Sequence, residues 1–371
     1  MRSRTPRAVV CLAVLLSASS AGAQEERRVD LHGFGSWAYG NTDANHFLGG
    51  RPDGNYRNTS FSLQTSANLS ERLRIVSQLF AVDTGEGSEF DLDAAFAEWK
   101  FSDRIRLRAG LVNQPFGISA EVLDVGTLRP FLQLPQAFYG RIGLTSEAYA
   151  GVGVTGSIPL PRSWRLTYDV YGGGTLLDEF VGPLHFLEGE PQEADEAVEE
   201  VTTRDVIGGR ILVDTSVAGL SFGASFQSGT EVGEGRRGTV AAQAEYLTDT
   251  WSARTEYGHE TVKDHETVDG FYAELAYRID PHWQVATLYG RNSSELLEVV
   301  VAPGEPLLEH EEMALGVNYW FSPEFVFKLA YHRVDGNRLA TPALEDLADL
   351  VASGQLRTRT NLVTFGVQFS F

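Results

Sequence analysis

Sixteen segments of about ten residues, each alternating apolar and polar side chains, recur along this chain and constrain its fold more than any other feature. Successive side chains on a strand point to opposite sides, so alternation gives a sheet one apolar and one polar face. The segment TSFSLQTSANLS is an example. Phe61, Leu63, Ala67 and Leu69 share one face, while Ser60, Ser62, Gln64, Ser66, Asn68 and Ser70 share the other. One such strand could equally belong to a soluble sandwich, so the discriminating information lies in number and spacing. Strands are predicted near 29–40, 59–70, 72–82, 89–101, 104–113, 148–158, 163–173, 203–215, 219–228, 238–248, 251–261, 268–279, 282–292, 311–321, 324–335 and 358–371.

The connections between these segments alternate in length. Short ones fall at Glu71, Ser102-Asp103, Leu160 to Arg162, Ser216 to Ala218, Asp249-Thr250, Asp280-Pro281 and Ser322-Pro323. Long ones fall at 41–58, 114–147, 174–202, 293–310 and 336–357, with shorter members near 83–88, 229–237 and 262–267. A short turn thus follows every even-numbered segment and a longer loop every odd one, which is the asymmetry of a transmembrane β-barrel. Ten tilted residues suffice to cross the hydrocarbon layer. There, each unpaired backbone group costs several kcal/mol, so the two edges of the sheet must close on each other. The predicted fold class is all-β: a transmembrane antiparallel β-barrel of sixteen strands. A barrel this wide is not filled by its own side chains and encloses water.

Aromatic residues gather at strand ends: Trp37 and Tyr39, Trp99 and Phe101, Trp164, Trp251, Trp283, and Tyr319 to Phe321. Amphipathic rings of this kind form girdles at membrane interfaces.

The first residues have a different character. Arg2, Arg4 and Arg7 precede the apolar run Val9 to Ala18, and Ala21-Gly22-Ala23 follows it, the pattern of a cleaved secretory signal peptide. Two regions are therefore expected: residues 1–23 as the signal peptide, and 24–371 as the barrel. The one cysteine, Cys11, lies in the first region, so the mature chain would hold no disulfide, no thiolate metal site and no lipid-bearing cysteine. Without the three signal-peptide arginines, 27 basic residues face 50 acidic ones, a net charge near −23. Nucleic acid is excluded as a partner, because phosphate binding needs a concentrated basic surface. The eight histidines are scattered, and HExxH spacing does not occur. No enzyme activity, metal or cofactor is expected. The competing readings are an outer-membrane barrel enzyme and a structural barrel with a plugged lumen.

The segment NLVTFGVQFSF places Val363, Phe365, Val367, Phe369 and Phe371 on one face. It resembles the C-terminal signature of Gram-negative outer-membrane proteins. The resemblance implies an outer-membrane location and recognition of Phe371 by the barrel-insertion machinery, with lipid and lipopolysaccharide as surroundings.

The connection 114–147 is too apolar for a solvated loop, carrying Phe116, Val122, Leu123, Val125, Leu128, Phe131, Leu132, Leu134 and Phe138. A long loop with this composition is expected to be functional and ordered. Folding into the lumen accounts for both features. In this it is similar to the constriction loop that follows strand five in trimeric diffusion porins. That resemblance implies a homotrimer and a passive channel for small hydrophilic solutes. The run Ala109 to Gly117, with Glu121, resembles the strand-to-loop segment of phosphate-selective porin O/P relatives.

Alternation also places charges. In IRLRAGLVN, Ile105, Leu107, Ala109 and Leu111 face lipid, which turns Arg104, Arg106 and Arg108 inward. In LRIVSQL, Leu73 and Ile75 face out and leave Arg72 and Arg74 inward. An arginine facing lipid at mid-depth would cost about 2–4 kcal/mol. Glu121, Asp124, Arg129 and Arg141 lie in the long loop, with Glu147 beside them. A basic wall opposite an acidic loop would set a transverse field. The predicted pore-lining residues are Arg74, Arg106, Arg108, Glu121, Asp124, Arg129 and Arg141. Charged rings set pore selectivity, and these lean towards anions. The net charge and the acidic stretch Glu188 to Glu200 oppose that lean from outside the channel, where carboxylates can hold divalent ions that bridge lipopolysaccharide.

Overall fold

The structure is a computed structural model. It describes residues 29–85, 87–119, 125–140, 144–180, 186–187, 198–233, 235–297, 301–302 and 304–371. The predicted signal peptide, residues 1–23, and most of Glu188 to Glu200 lie outside the described residues.

Among the described residues, sixteen strands close into one barrel in chain order, with the first pairing the last. They are β1 (Val29–Thr42), β2 (Asn55–Asn68), β3 (Leu73–Asp83), β4 (Ser88–Ser102), β5 (Ile105–Asn113), β6 (Ala148–Pro159), β7 (Arg165–Phe180) and β8 (Val198–Asp214). They continue as β9 (Leu220–Glu231), β10 (Gly235–Leu247), β11 (Trp251–Val262), β12 (Glu266–Arg278), β13 (Trp283–Leu296), β14 (Glu309–Ser322), β15 (Phe325–Asp335) and β16 (Arg359–Ser370). The closing pair is antiparallel, from Phe34 opposite Ser370 to Thr42 opposite Leu362. Closure leaves no open sheet edge, as hydrocarbon requires.

Alternation resolves into two faces. On β14, His310, Glu312, Ala314, Asn318 and Trp320 are buried inside, while Met313, Leu315 and Val317 are exposed outside. Leu315 is 65% exposed and Ile207 62%. Such a continuous apolar outer surface would be untenable in water and is a lipid-facing band. At the end bearing the even-to-odd turns, Trp99, Phe101, Trp164, Trp251, Trp283 and Phe321 stand exposed on it. Trp320 departs from the expected girdle. It sits between two outward residues, so the pleat turns it inside, where Arg278 lies 5.0 Å from its ring centre.

The even-to-odd turns are tightly tied. In the β12–β13 turn, the Asp280 carboxylate accepts the backbone N–H groups of His282 and Trp283, both at 2.8 Å. Those bonds hold its pKa below the ordinary carboxylate value.

Three predicted connections need correction. The shorter ones at 229–237 and 262–267 contract to the stretches between Glu231 and Gly235 and between Val262 and Glu266, because β9 to β12 extend beyond the predicted ends. Likewise β7 and β8 continue as a paired hairpin to Phe180 and Val198. Antiparallel pairing satisfies the backbone in water as well as in lipid, so a hairpin need not stop at the membrane surface.

Candidate functional site

The segment between β5 and β6 runs inside the barrel, and inward side chains grip its backbone along its length. At its start, Gln114 Nε2 donates to Tyr171 Oη at 2.8 Å. Gly117, at φ +66°, turns the chain. Its N–H donates to Ser225 Oγ at 3.1 Å, and Arg210, paired with Asp169 at 3.1 Å, donates to its carbonyl at 3.2 Å. Ile118 N–H donates to Glu256 Oε2 at 3.0 Å, and the same carboxylate accepts Tyr139 Oη at 2.5 Å and Tyr272 Oη at 2.7 Å.

The segment's deepest part lies on β14, β15 and β16. Lys328, fully buried, donates to the carbonyls of Gly126 at 2.9 Å, Arg129 at 2.5 Å and Phe131 at 3.2 Å, and to Gln368 Oε1 at 2.5 Å. Buried ammonium is costly unless its donors are used, and here they are. Asn318 donates to the Pro130 carbonyl at 2.8 Å and Gln368 Nε2 to that of Leu132 at 2.9 Å. The chain then crosses to β13, where Asn292 donates to the Ala137 carbonyl at 3.0 Å within a one-turn helix, Gln136–Tyr139.

Apolar packing follows the same track. Phe116, Phe131, Phe138 and Leu144 are buried against Ala241, Ala276, Ala286, Leu288, Ala314 and Ala330 of the inner wall. Each large side chain buried in this way contributes about 1.5–3 kcal/mol. The wall is small where the segment lies on it. A Cβ at Gly270 would stand 2.4 Å from the Ala137 carbonyl oxygen, and one at Gly258 2.5 Å from Leu144. Nearer the long-loop end, Phe47 and Ala340 pack on Val334 and Leu362. Arg338 there donates to Asn292 at 2.7 Å and Glu266 at 3.0 Å.

The wall over β2 to β5 is built differently. Arg74, Arg106 and Arg108 face inward, as alternation predicts, around Glu98. Arg108 Nε lies 2.9 Å from that carboxylate and Arg106 Nη1 3.9 Å. Arg74 is the cross-strand neighbour of Glu98 and donates to Ser66 Oγ at 3.0 Å. Arg108 also lies over the Phe96 ring, 5.7 Å from its centre. These strands border an open recess of about 160 Å³.

The structure thus brings together three of the predicted residues. Arg129 is elsewhere: its guanidinium donates to the Leu132 carbonyl at 3.0 Å within the inward segment, and its own carbonyl is held by Lys328 on β15. Glu121, Asp124 and Arg141 lie outside the described residues. Sequence reasoning missed Glu98 and Lys328. Both were legible: Glu98 shares the parity of Lys100 in AEWK, and Lys328 that of Val326 and Ala330 in FVFKLA.

No family model matches the chain, and no curated protein does. Solved structures do. The chain is similar to OmpF of Salmonella typhi in complex with daunomycin, with 12% identity and a TM-score of 0.60, covering 93% of this chain and 98% of that one. It is similar to the outer-membrane channel DcaP of Acinetobacter baumannii, with 10% identity and a TM-score of 0.57, covering 95% and 100%. It is also similar to the anion-selective porin from Comamonas acidovorans, with 11% identity and a TM-score of 0.56, covering 93% and 100%. At such identity the likeness is one of fold. The chain has the sixteen-stranded antiparallel barrel fold of the outer-membrane porins.

Proposed function

We propose that the protein is an outer-membrane porin, exported by a signal peptide at residues 1–23, through which small hydrophilic solutes diffuse with a lean towards anions. The observation that carries this reading is the uneven lining of the interior. One wall is covered by the described residues between β5 and β6, and the other presents the guanidinium groups of Arg74, Arg106 and Arg108. Cationic side chains at a narrowing favour anions by direct attraction and by replacing lost hydration. The anion-selective function of the Comamonas acidovorans porin agrees with the same lean.

A homotrimer is part of the proposal. The outward face of β2 to β5 carries cross-strand neighbours of small size, with Thr65 beside Ser77 and Ala95, and Ala97 beside Ala109. Small outward residues at this level let neighbouring barrels approach closely. Planar-bilayer recording of the purified protein tests the channel. Stable unitary current steps are expected, with a reversal potential in a salt gradient of the sign for anion preference. Absence of steps would overturn the channel, and a cation-selective reversal potential would overturn the lean.

A further inference from the structure

The recess in the open wall has a chemistry of its own. Val76, Phe96 and Val112 give it an apolar floor, and two of these are deeply buried: Val76 is 7% exposed and Val112 1%. Arg74 and Arg108 line it beside that floor, and Glu98 is the one carboxylate among its described lining residues. Arg106, 3.9 Å from the same carboxylate, adds a third guanidinium group, so positive charge exceeds negative here. Its volume, about 160 Å³, is close to that of an apolar protein cavity of about 150 Å³ that holds one benzene ring. Ligand sites combine an apolar lining with a few convergent polar groups in this manner.

We propose that this recess is a binding subsite for a monoanionic aromatic acid, a single ring bearing one carboxylate. The ring lies on Val76, Phe96 and Val112, and the carboxylate faces Arg74, whose planar fork matches it. Glu98 sets the charge selectivity. It holds Arg108 at 2.9 Å and offsets one guanidinium charge, which weakens the preference for dianions. The subsite rests on the reading of the barrel as a channel for its biological use, but its occupancy can be measured without conduction.

Isothermal titration calorimetry of the full-length protein in detergent, with benzoate, acetate and benzyl alcohol as probes, tests it. Benzoate is expected to bind at least about tenfold more tightly than acetate, which has the charge without the ring, or benzyl alcohol, which has the ring without the charge. Arg74→Gln should weaken benzoate by about tenfold, and Glu98→Gln should raise the affinity for phthalate, a dianion, relative to benzoate. Circular dichroism checks that each variant keeps its barrel. Equal affinity for benzoate and acetate, or an unchanged benzoate affinity in a folded Arg74→Gln, overturns the subsite. Bilayer recording of the same preparation separates the two claims: benzoate binding without current steps would sink the channel and leave the subsite, and current steps without benzoate binding would do the reverse.

Discussion

The inner walls over β10–β16 and over β2–β5 obey the same alternation, yet one is covered and the other is wet. The difference lies in the size and pairing of the inward residues. On the covered wall, glycine and alanine at Gly258, Gly270, Ala286, Ala314 and Ala330 make room, and Glu256, Asn292, Asn318 and Lys328 between them grasp a backbone. On the open wall the inward residues are long and charged, and they meet each other across strands: Arg74, Glu98, Arg106 and Arg108. A barrel too wide to fill with side chains has its passage set by which wall a loop can afford to lie on.

The largest expected effect comes from Lys328→Met. It strips a donor from three buried carbonyls at once and should cost about 3 kcal/mol or more, because bonds to a charged donor are the strong ones. Thermal unfolding in detergent reads that loss, and unitary conductance should rise as the segment lifts. Unchanged conductance together with unchanged melting would mean the segment is held elsewhere. Next in size is Gly270→Ala, which pushes a Cβ into the Ala137 carbonyl oxygen and should cost about 1–3 kcal/mol. Its control is Gly172→Ala, whose nearest neighbour would stand at 3.4 Å, an ordinary contact, and which should stay within about 0.5 kcal/mol of the parent. Equal costs at the two sites would erase the distinction between a covered and an uncovered surface.

The open wall is probed by charge. Arg106→Ala with Arg108→Ala should move the reversal potential towards cations and leave thermal stability little changed, because both groups border water. A shift in stability without a shift in selectivity would make them structural. The smallest effect is expected at the Asp280 turn. Its folded pKa lies below the ordinary carboxylate value, so its stabilisation is complete above that value and fades as pH falls through the folded pKa. The difference in melting midpoint between the parent and Asp280→Ala should therefore be present at neutral pH and shrink at about pH 2. A difference independent of pH would assign the effect to turn geometry alone.

The strands were legible because lipid outside and water inside impose a period-two pattern that no other environment imposes so regularly. Parity alone placed Arg74, Arg106 and Arg108 on the inner face. The same parity, applied to Glu98 and Lys328, places them inside too, but parity does not say what an inward residue meets. That depends on the path of the described residues between β5 and β6, which is set by contacts between positions as far apart as Gly126 and Lys328. Arg129 illustrates the limit: its guanidinium donates to a carbonyl three residues away, a contact that parity does not foretell. The inward glycines and alanines of β10–β16 carried a signal of the covered wall, visible only once the residues of each face are taken together.

Chemical access to introduced thiols tests the two-wall picture most directly, since Cys11 is the one native cysteine and lies in the predicted signal peptide. Single substitutions Gln64→Cys and Ala314→Cys would be exposed to a small charged methanethiosulfonate reagent during bilayer recording. Current through the Gln64→Cys channel should fall on modification while that through Ala314→Cys stays unchanged. Equal blockade at both positions, or blockade at Ala314 alone, would contradict a passage confined to the open wall.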